Sequence, residues 1–185
     1  WYLMLEAGYK QDVTDFSEFF PGLGLIGITW GFMVDRVMPF FSMEIGFGDI
    51  KDDFEELSGD GRANTYSFAA GLLLRQPLSR RTSFYVSGSY GYYIRSLQWG
   101  GFFYDPFYNT YTEGFVLEQQ DWGYGVRVGV QIIRSTQKKP RFLDIGLGFH
   151  SSGAEEWHYF DETSDFLARD RDTWVTLSFR LGEGL

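Results

Sequence analysis

The sequence predicts an all-β fold: an eight-stranded, antiparallel, up-and-down transmembrane β-barrel that takes residues 1–185 as a single domain. Three observations predict it. First, segments of about ten residues alternate bulky apolar groups with Gly, Ser or a charge, then break at polar residues. In Trp122–Ile132 one face carries Trp122, Tyr124, Val126, Val128, Val130 and Ile132, and the other carries three glycines with Arg127 and Gln131. Alternate side chains of a strand point to opposite faces, so this pattern suits hydrocarbon outside and a narrow, crowded, polar lumen inside. Second, connections alternate between short and long. Third, charge changes sign in step with that alternation.

Strands are predicted over 1–10, 22–33, 40–50, 64–75, 82–98, 115–134, 142–151 and 172–182. The first sets Tyr9 against Glu6 and Lys10. The second falls in the longest apolar run, Leu23 to Val34, which is too short to span a membrane as a helix and is interrupted by Gly24, Gly27 and Gly31. The third, with Met43-Glu-Ile-Gly-Phe-Gly48, echoes the seventh, with Leu143-Asp-Ile-Gly-Leu-Gly148, and both follow a Pro-containing turn. They read as equivalent strands of two hairpins, with glycines making room in the lumen. The fourth contains the alternating segment Tyr66–Arg75, the fifth sets Phe84 and Tyr92 against Arg95, and the sixth contains the Trp122–Ile132 segment already described. The eighth is Trp174-Val-Thr-Leu-Ser-Phe-Arg-Leu181. Eight is an even number, and it closes a sheet without leaving an edge in lipid.

Short connections fall at Val34–Pro39, Gln76–Arg81 and Ser135–Arg141, and long ones at Gln11–Pro21, Lys51–Ala63, Trp99–Gly114 and Ser152–Arg171. Windows around the short turns total +7, those around the long loops −15, within a net charge of −9. That separation predicts opposite ends in different environments, with the long loops facing the exterior. The aromatics, 20% of the chain, fall into two bands on the apolar face. Trp1, Phe32, Phe41, Phe84 and Phe179 are predicted at the turn end, and Tyr9, Phe47, Tyr66, Tyr92, Trp122 and Phe149 at the loop end. Such belts mark membrane interfaces; six to eight residues between them span roughly 15–20 Å at a ~40° tilt. There is no Cys, hence no disulfide or thiolate chemistry. Trp1 already stands in a strand-like pattern, so a removed leader is expected.

Architecturally, the alternation, loop rhythm and closing strand resemble the small eight-stranded outer-membrane barrels of the OmpA, OmpX and opacity-protein type. That resemblance implies a porin-like fold in the outer membrane of a Gram-negative bacterium. It also implies that Trp174–Leu181 acts as the signal read by barrel assembly, although here the chain runs on to Leu185.

Inward positions include Glu6, Lys10, Glu44, Arg75, Arg95, Arg127, Gln131, Asp144, His150 and Arg180. Eight strands leave an interior that side chains fill, so these charges are expected to form a salt-bridge network plugging the barrel. Asp144 is expected to pair with Arg180, and Arg127 with Glu44 or Glu6. The leading function expected is non-enzymatic: envelope structure, or docking of a partner through long aromatic and acidic loops. The docking candidates are Phe102, Phe103, Tyr104, Phe107, Tyr108 and Tyr111 in the loop 100–114, because clustered exposed aromatics mark partner surfaces. The competing reading is that these rings pack on one another or on the barrel rim. Expected partners are outer-membrane lipid, lipopolysaccharide and another envelope protein; the acidic balance disfavours nucleic acid. No cofactor or metal is expected, since Asp52, Asp53, Glu55 and Glu56 lack a metal-binding register.

Two further functions are carried as alternatives. His150-Ser-Ser-Gly153 is similar to the His-x-Ser motif of outer-membrane lipid A deacylases. That resemblance implies His150 as base, Ser152 as nucleophile and Glu162 or Glu155 as orienter, with Gly153 where the family has Asn. The structural reading of the same residues is a His capping the lumen and a Ser-Gly turn. The last alternative, lateral passage of small apolar molecules, requires a gap in the barrel wall.

Overall fold

A computed structural model describes residues 1–13, 22–49, 61–105, 110–135, 140–153 and 172–184. Eight strands follow one another: β1 (Tyr2–Asp12), β2 (Leu23–Gly31), β3 (Val37–Asp49), β4 (Gly61–Pro77), β5 (Thr82–Asp105), β6 (Thr110–Ser135), β7 (Arg141–Ser152) and β8 (Asp172–Gly184). Each pairs antiparallel with its neighbours in sequence, and β8 returns to β1 from Tyr2↔Gly184 to Asp12↔Trp174. The sheet is therefore closed at every seam, and the backbone groups of the wall find their partners within it.

The turn between β2 and β3 is tighter than the sequence suggests. Val34 and Val37 exchange both backbone hydrogen bonds, at 2.8 and 3.0 Å, around Asp35-Arg36. Asp35 takes a left-handed conformation, φ 55°, which Asp tolerates better than most residues. Pro39 consequently lies within β3, where its carbonyl accepts from the Phe32 amide.

The larger difference is at the third long connection. The sequence predicts a loop over 99–114, yet β5 runs to Asp105 and β6 begins at Thr110, with a register shift between Trp99 and Phe102. β4 accompanies β5 only as far as Gly61↔Trp99, and β7 accompanies β6 only as far as Gly123↔Ser152. Among the described residues, the hairpin beyond those points is a two-stranded ribbon that rises past the rest of the barrel.

The apolar faces point outward. Leu5, Ile26, Ile28, Ile45, Phe68, Val126, Val128, Leu147 and Leu177 are all exposed, as is every predicted belt aromatic except the half-buried Tyr92. Trp1 stacks on Trp30 with centroids 5.0 Å apart at the turn end, and Tyr90 stacks on Trp122 at 5.4 Å at the loop end. A water-facing wall would not expose so continuous an apolar belt; a bilayer-spanning one must.

Candidate functional site: the lumen and its two ends

The inside of the barrel is layered. At the turn end Met4, Met38, Leu73, Tyr85 and Phe142 form a buried apolar cluster, with Tyr2, Met33 and Phe40 packed against it. This plug departs from the expectation of an inner face made of small and polar groups. The signal for it lies where apolar residues run consecutively, at Tyr2–Leu5, Val37-Met38, Leu72–Leu74 and Phe142-Leu143. Such runs fill both faces of a strand, and all four occur at the turn end.

Above the plug sits the charged layer. Glu6 is 5% exposed and faces two arginines that are equally buried. One carboxylate oxygen accepts from Arg127 Nη2, and the other from Arg180 Nε at 2.7 Å. Arg127 therefore meets Glu6, one of the two partners expected for it. The expected Asp144–Arg180 pair does not form. The two residues are register partners across β7 and β8, but Glu6 is the register partner of Arg180 on the other side, across β1 and β8. Both oxygens of Asp144 are already occupied, by Tyr85 Oη at 2.8 Å and Gln131 Nε2 at 3.2 Å.

The glycines of β6 and β7 have a local purpose here. Gly129 and Gly146 are register partners, and a Cβ on either would collide with Tyr85 Oη. They form the slot that admits the Tyr85 ring to Asp144. Glu44, Ser42, Ser67, Ser87, Ser89, Tyr93, Arg127 and His150 line a small chamber at mid-height. Arg75 is half-buried and points inward near the plug, with its amide bonded to the Arg36 carbonyl.

A third layer of side chains fills much of the loop end among the described residues. Arg95 pairs with Asp12 at 2.7 Å, both buried. The Lys10 ammonium lies 3.6 Å from the centre of the Trp174 ring, a cation–π geometry, and also donates to Thr65 Oγ1. His150 stacks on Trp174 with centroids 5.9 Å apart, and Tyr93 meets both rings edge-on. Sequence reasoning missed Asp12, which it placed in a loop, and assigned no lumen role to Tyr93 or Trp174, although both fall on predicted strands. Period-2 counting from Lys10, Arg95 and Arg180 would have turned all three inward.

His150 and Ser152 lie two residues apart on the inner face of β7, 9% and 3% exposed. The His150 Nδ1 is 3.5 Å from the Tyr93 hydroxyl, and no His150–Ser152 hydrogen bond forms among the described residues. The ring is wedged between Gly125 and Gly148, whose missing side chains make its space. A hydrolase acting on an ester in the bilayer needs its nucleophile on the lipid-facing wall, and these groups face the opposite way. Glu155 and Glu162 lie outside the described residues, as do Phe107 and Tyr108 of the docking candidates. Phe102, Phe103 and Tyr104 fall on β5 and Tyr111 on β6, in the ribbon. Lateral passage finds no opening, since each seam is hydrogen-bonded among the described residues.

The class of protein defined by this closed wall, side-chain-lined lumen and apolar exterior is a small transmembrane β-barrel. No family model matches the chain, and no curated protein matches it in sequence. Among solved structures, a neisserial surface protein (NspA) superposes with a TM-score of 0.59 at 14% identity, over 97% of this chain and 95% of that one. A major outer membrane protein of Thermus thermophilus superposes with a TM-score of 0.55 at 10% identity, over 98% and 97%. The fold is that of the small eight-stranded outer-membrane barrels.

Proposed function

We propose that this protein is a non-enzymatic barrel of the outer membrane of a Gram-negative bacterium. In this reading its lumen is a sealed structural element, and its work is done at the loop end by docking another envelope protein. The observation that carries the reading is the filled interior: apolar plug, Glu6–Arg127–Arg180 triad and Trp174–His150–Tyr93 cap in succession. A barrel so filled offers neither a pore nor a lipid-facing nucleophile. The parts left to act are the acidic loop end and the ribbon of β5 and β6, rich in Phe and Tyr. The apolar belt contacts outer-membrane lipid, and the loop end stands among lipopolysaccharide headgroups.

Site-specific photo-crosslinking in native membranes tests the docking. A crosslinkable residue at Tyr104 or Tyr111 is expected to capture one discrete protein, and one at Ser79 on the opposite end is not. Equal or absent capture at the two ends would overturn the docking role. Planar-bilayer recordings test the seal; a stable single-channel current from the unmodified protein would overturn it.

A further inference from the structure

The turn end carries an unbalanced arc of arginines at the lower margin of the apolar belt. Arg80 and Arg81 are exposed in the turn between β4 and β5, and Arg134 is exposed on the outward face of β6. The turn is held beside β6 by a 2.7 Å hydrogen bond from the Ile133 amide to the Arg81 carbonyl, so the three lie on one side of the barrel. Arg36 extends the arc at one end through its hydrogen bond to Gln76 at 3.3 Å. Arg141 extends it at the other, where it meets Glu183 at 3.5 Å while remaining 70% exposed.

What makes the arc unusual is the lack of acidic residues around its centre, Arg80, Arg81 and Arg134; Asp35 and Glu183 stand only at its two ends. Neither residues 61–104 nor residues 122–143 contain a single Asp or Glu. These three central charges are therefore not a solvated mixture of both signs. They also sit directly against apolar wall: Leu74, Leu78, Phe84 and Ile132 are exposed on the same side. Arginine can lay its methylene stem along such a wall and keep its guanidinium at headgroup depth. A planar guanidinium matches a phosphate in a two-pronged geometry that lysine lacks.

We infer that this arc binds the phosphate headgroups of anionic phospholipid in the leaflet at the turn end. The occupant is a lipid, not free phosphate, because the charges adjoin the apolar wall that would hold its acyl chains. The inference rests on the transmembrane placement of the barrel and is independent of the docking role at the other end.

The test uses the intact barrel in nanodiscs of mixed phosphatidylglycerol and phosphatidylcholine, with the co-purifying annular lipid quantified by mass spectrometry. The native protein is expected to enrich phosphatidylglycerol. Replacing Arg80, Arg81 and Arg134 by Gln should remove most of that enrichment, on the order of fivefold for each arginine in contact with a headgroup. The three positions are exposed, so the variant should still show a heat-modifiable folded band. The triple Lys variant should retain part of the enrichment, since it keeps the charge and loses the fork. No enrichment in the native protein, or the same enrichment in the Gln variant, would overturn the inference. Loss of the enrichment on adding inorganic phosphate at constant ionic strength would reassign the arc to a soluble anion and overturn it equally. Capture of a partner at Tyr104 could fail without touching any of these outcomes.

Discussion

Replacing Glu6 by Gln should destabilise the barrel more than any other change of one lumen carboxylate. Its two oxygens accept from Arg127 and Arg180, and the side chains involved are 1%, 6% and 5% exposed. Glutamine keeps the shape but removes the charge, and its amide places a donor where one guanidinium needs an acceptor. Two buried cations then lose their shared counter-charge. Breaking one buried pair from one side costs about 3–5 kcal/mol, which is a factor of roughly 10² to 10³ or more in the folding equilibrium. The two pairs share one carboxylate, so their costs do not add. Because the groups are almost wholly buried, solvent screening gives little relief. Urea unfolding of the barrel in lipid vesicles, followed by tryptophan fluorescence and by the heat-modifiable gel shift, reads the difference. Glu44→Gln is the control: Glu44 lines the mid-height chamber that Arg127 and Arg180 also line, without an ion pair among the described residues, and a loss of about 1 kcal/mol is expected. Combining Glu6→Gln with Arg180→Met should recover part of the loss, since removing both partners of a buried pair is far less costly than removing one. If Glu6→Gln costs no more than Glu44→Gln, the triad does not hold the lumen together.

Other consequences follow from the layering. Replacing Met4, Met38 and Leu73 together by Ser should destabilise the barrel by more than about 3 kcal/mol in the same urea assay, while planar bilayers should still show no channel, because the triad and the Trp174–His150–Tyr93 cap continue to fill the lumen. Gly146→Val should force Tyr85 away from Asp144 and destabilise the barrel by about 1–3 kcal/mol in the same urea assay, with Gly88→Ala nearly neutral because its Cβ would meet nothing within 4 Å. His150→Gln and Ser152→Ala should leave the acyl chains of lipid A in expressing cells identical to those with the native protein, as read by mass spectrometry. A change that depends on either residue would restore the hydrolase alternative.

The wall was legible in the sequence because its determinant is local. Period-2 alternation places Val126, Val128 and Val130 on one face whatever else the chain does, so strand order, the outward belt and the inward charges all follow from spacing. The extent of strands was less legible. Trp99–Gly114 looks like loop by its Gly100-Gly101, Asp105-Pro106 and Asn109 content, yet pairing between β5 and β6 continues past a register shift at those glycines. The lumen was legible in membership but not in pairing. Arg180 stands in register with both Asp144 and Glu6, and nothing local chooses between them. The choice is made across the barrel, by Tyr85 reaching Asp144 through the Gly129 and Gly146 slot and by Arg127 drawing the triad towards Glu6. The apolar plug was missed for a different reason: a rule of outward apolar and inward polar has no place for Leu73 between Leu72 and Leu74. The cap of Trp174, His150 and Tyr93 also needs three strands brought together before it becomes visible.

The membrane placement, the sealed lumen and the lipid-binding arc all require the bulky faces to meet lipid and the opposite faces to fill the centre. Since the chain has no cysteine, single-cysteine spin labels can be placed one at a time from Trp174 to Leu181 of β8 without background. Labels at 175, 177, 179 and 181 should be relaxed by oxygen dissolved in the bilayer, and labels at 174, 176, 178 and 180 should not. An inverted alternation, or none, would mean that the wall does not face lipid in this way.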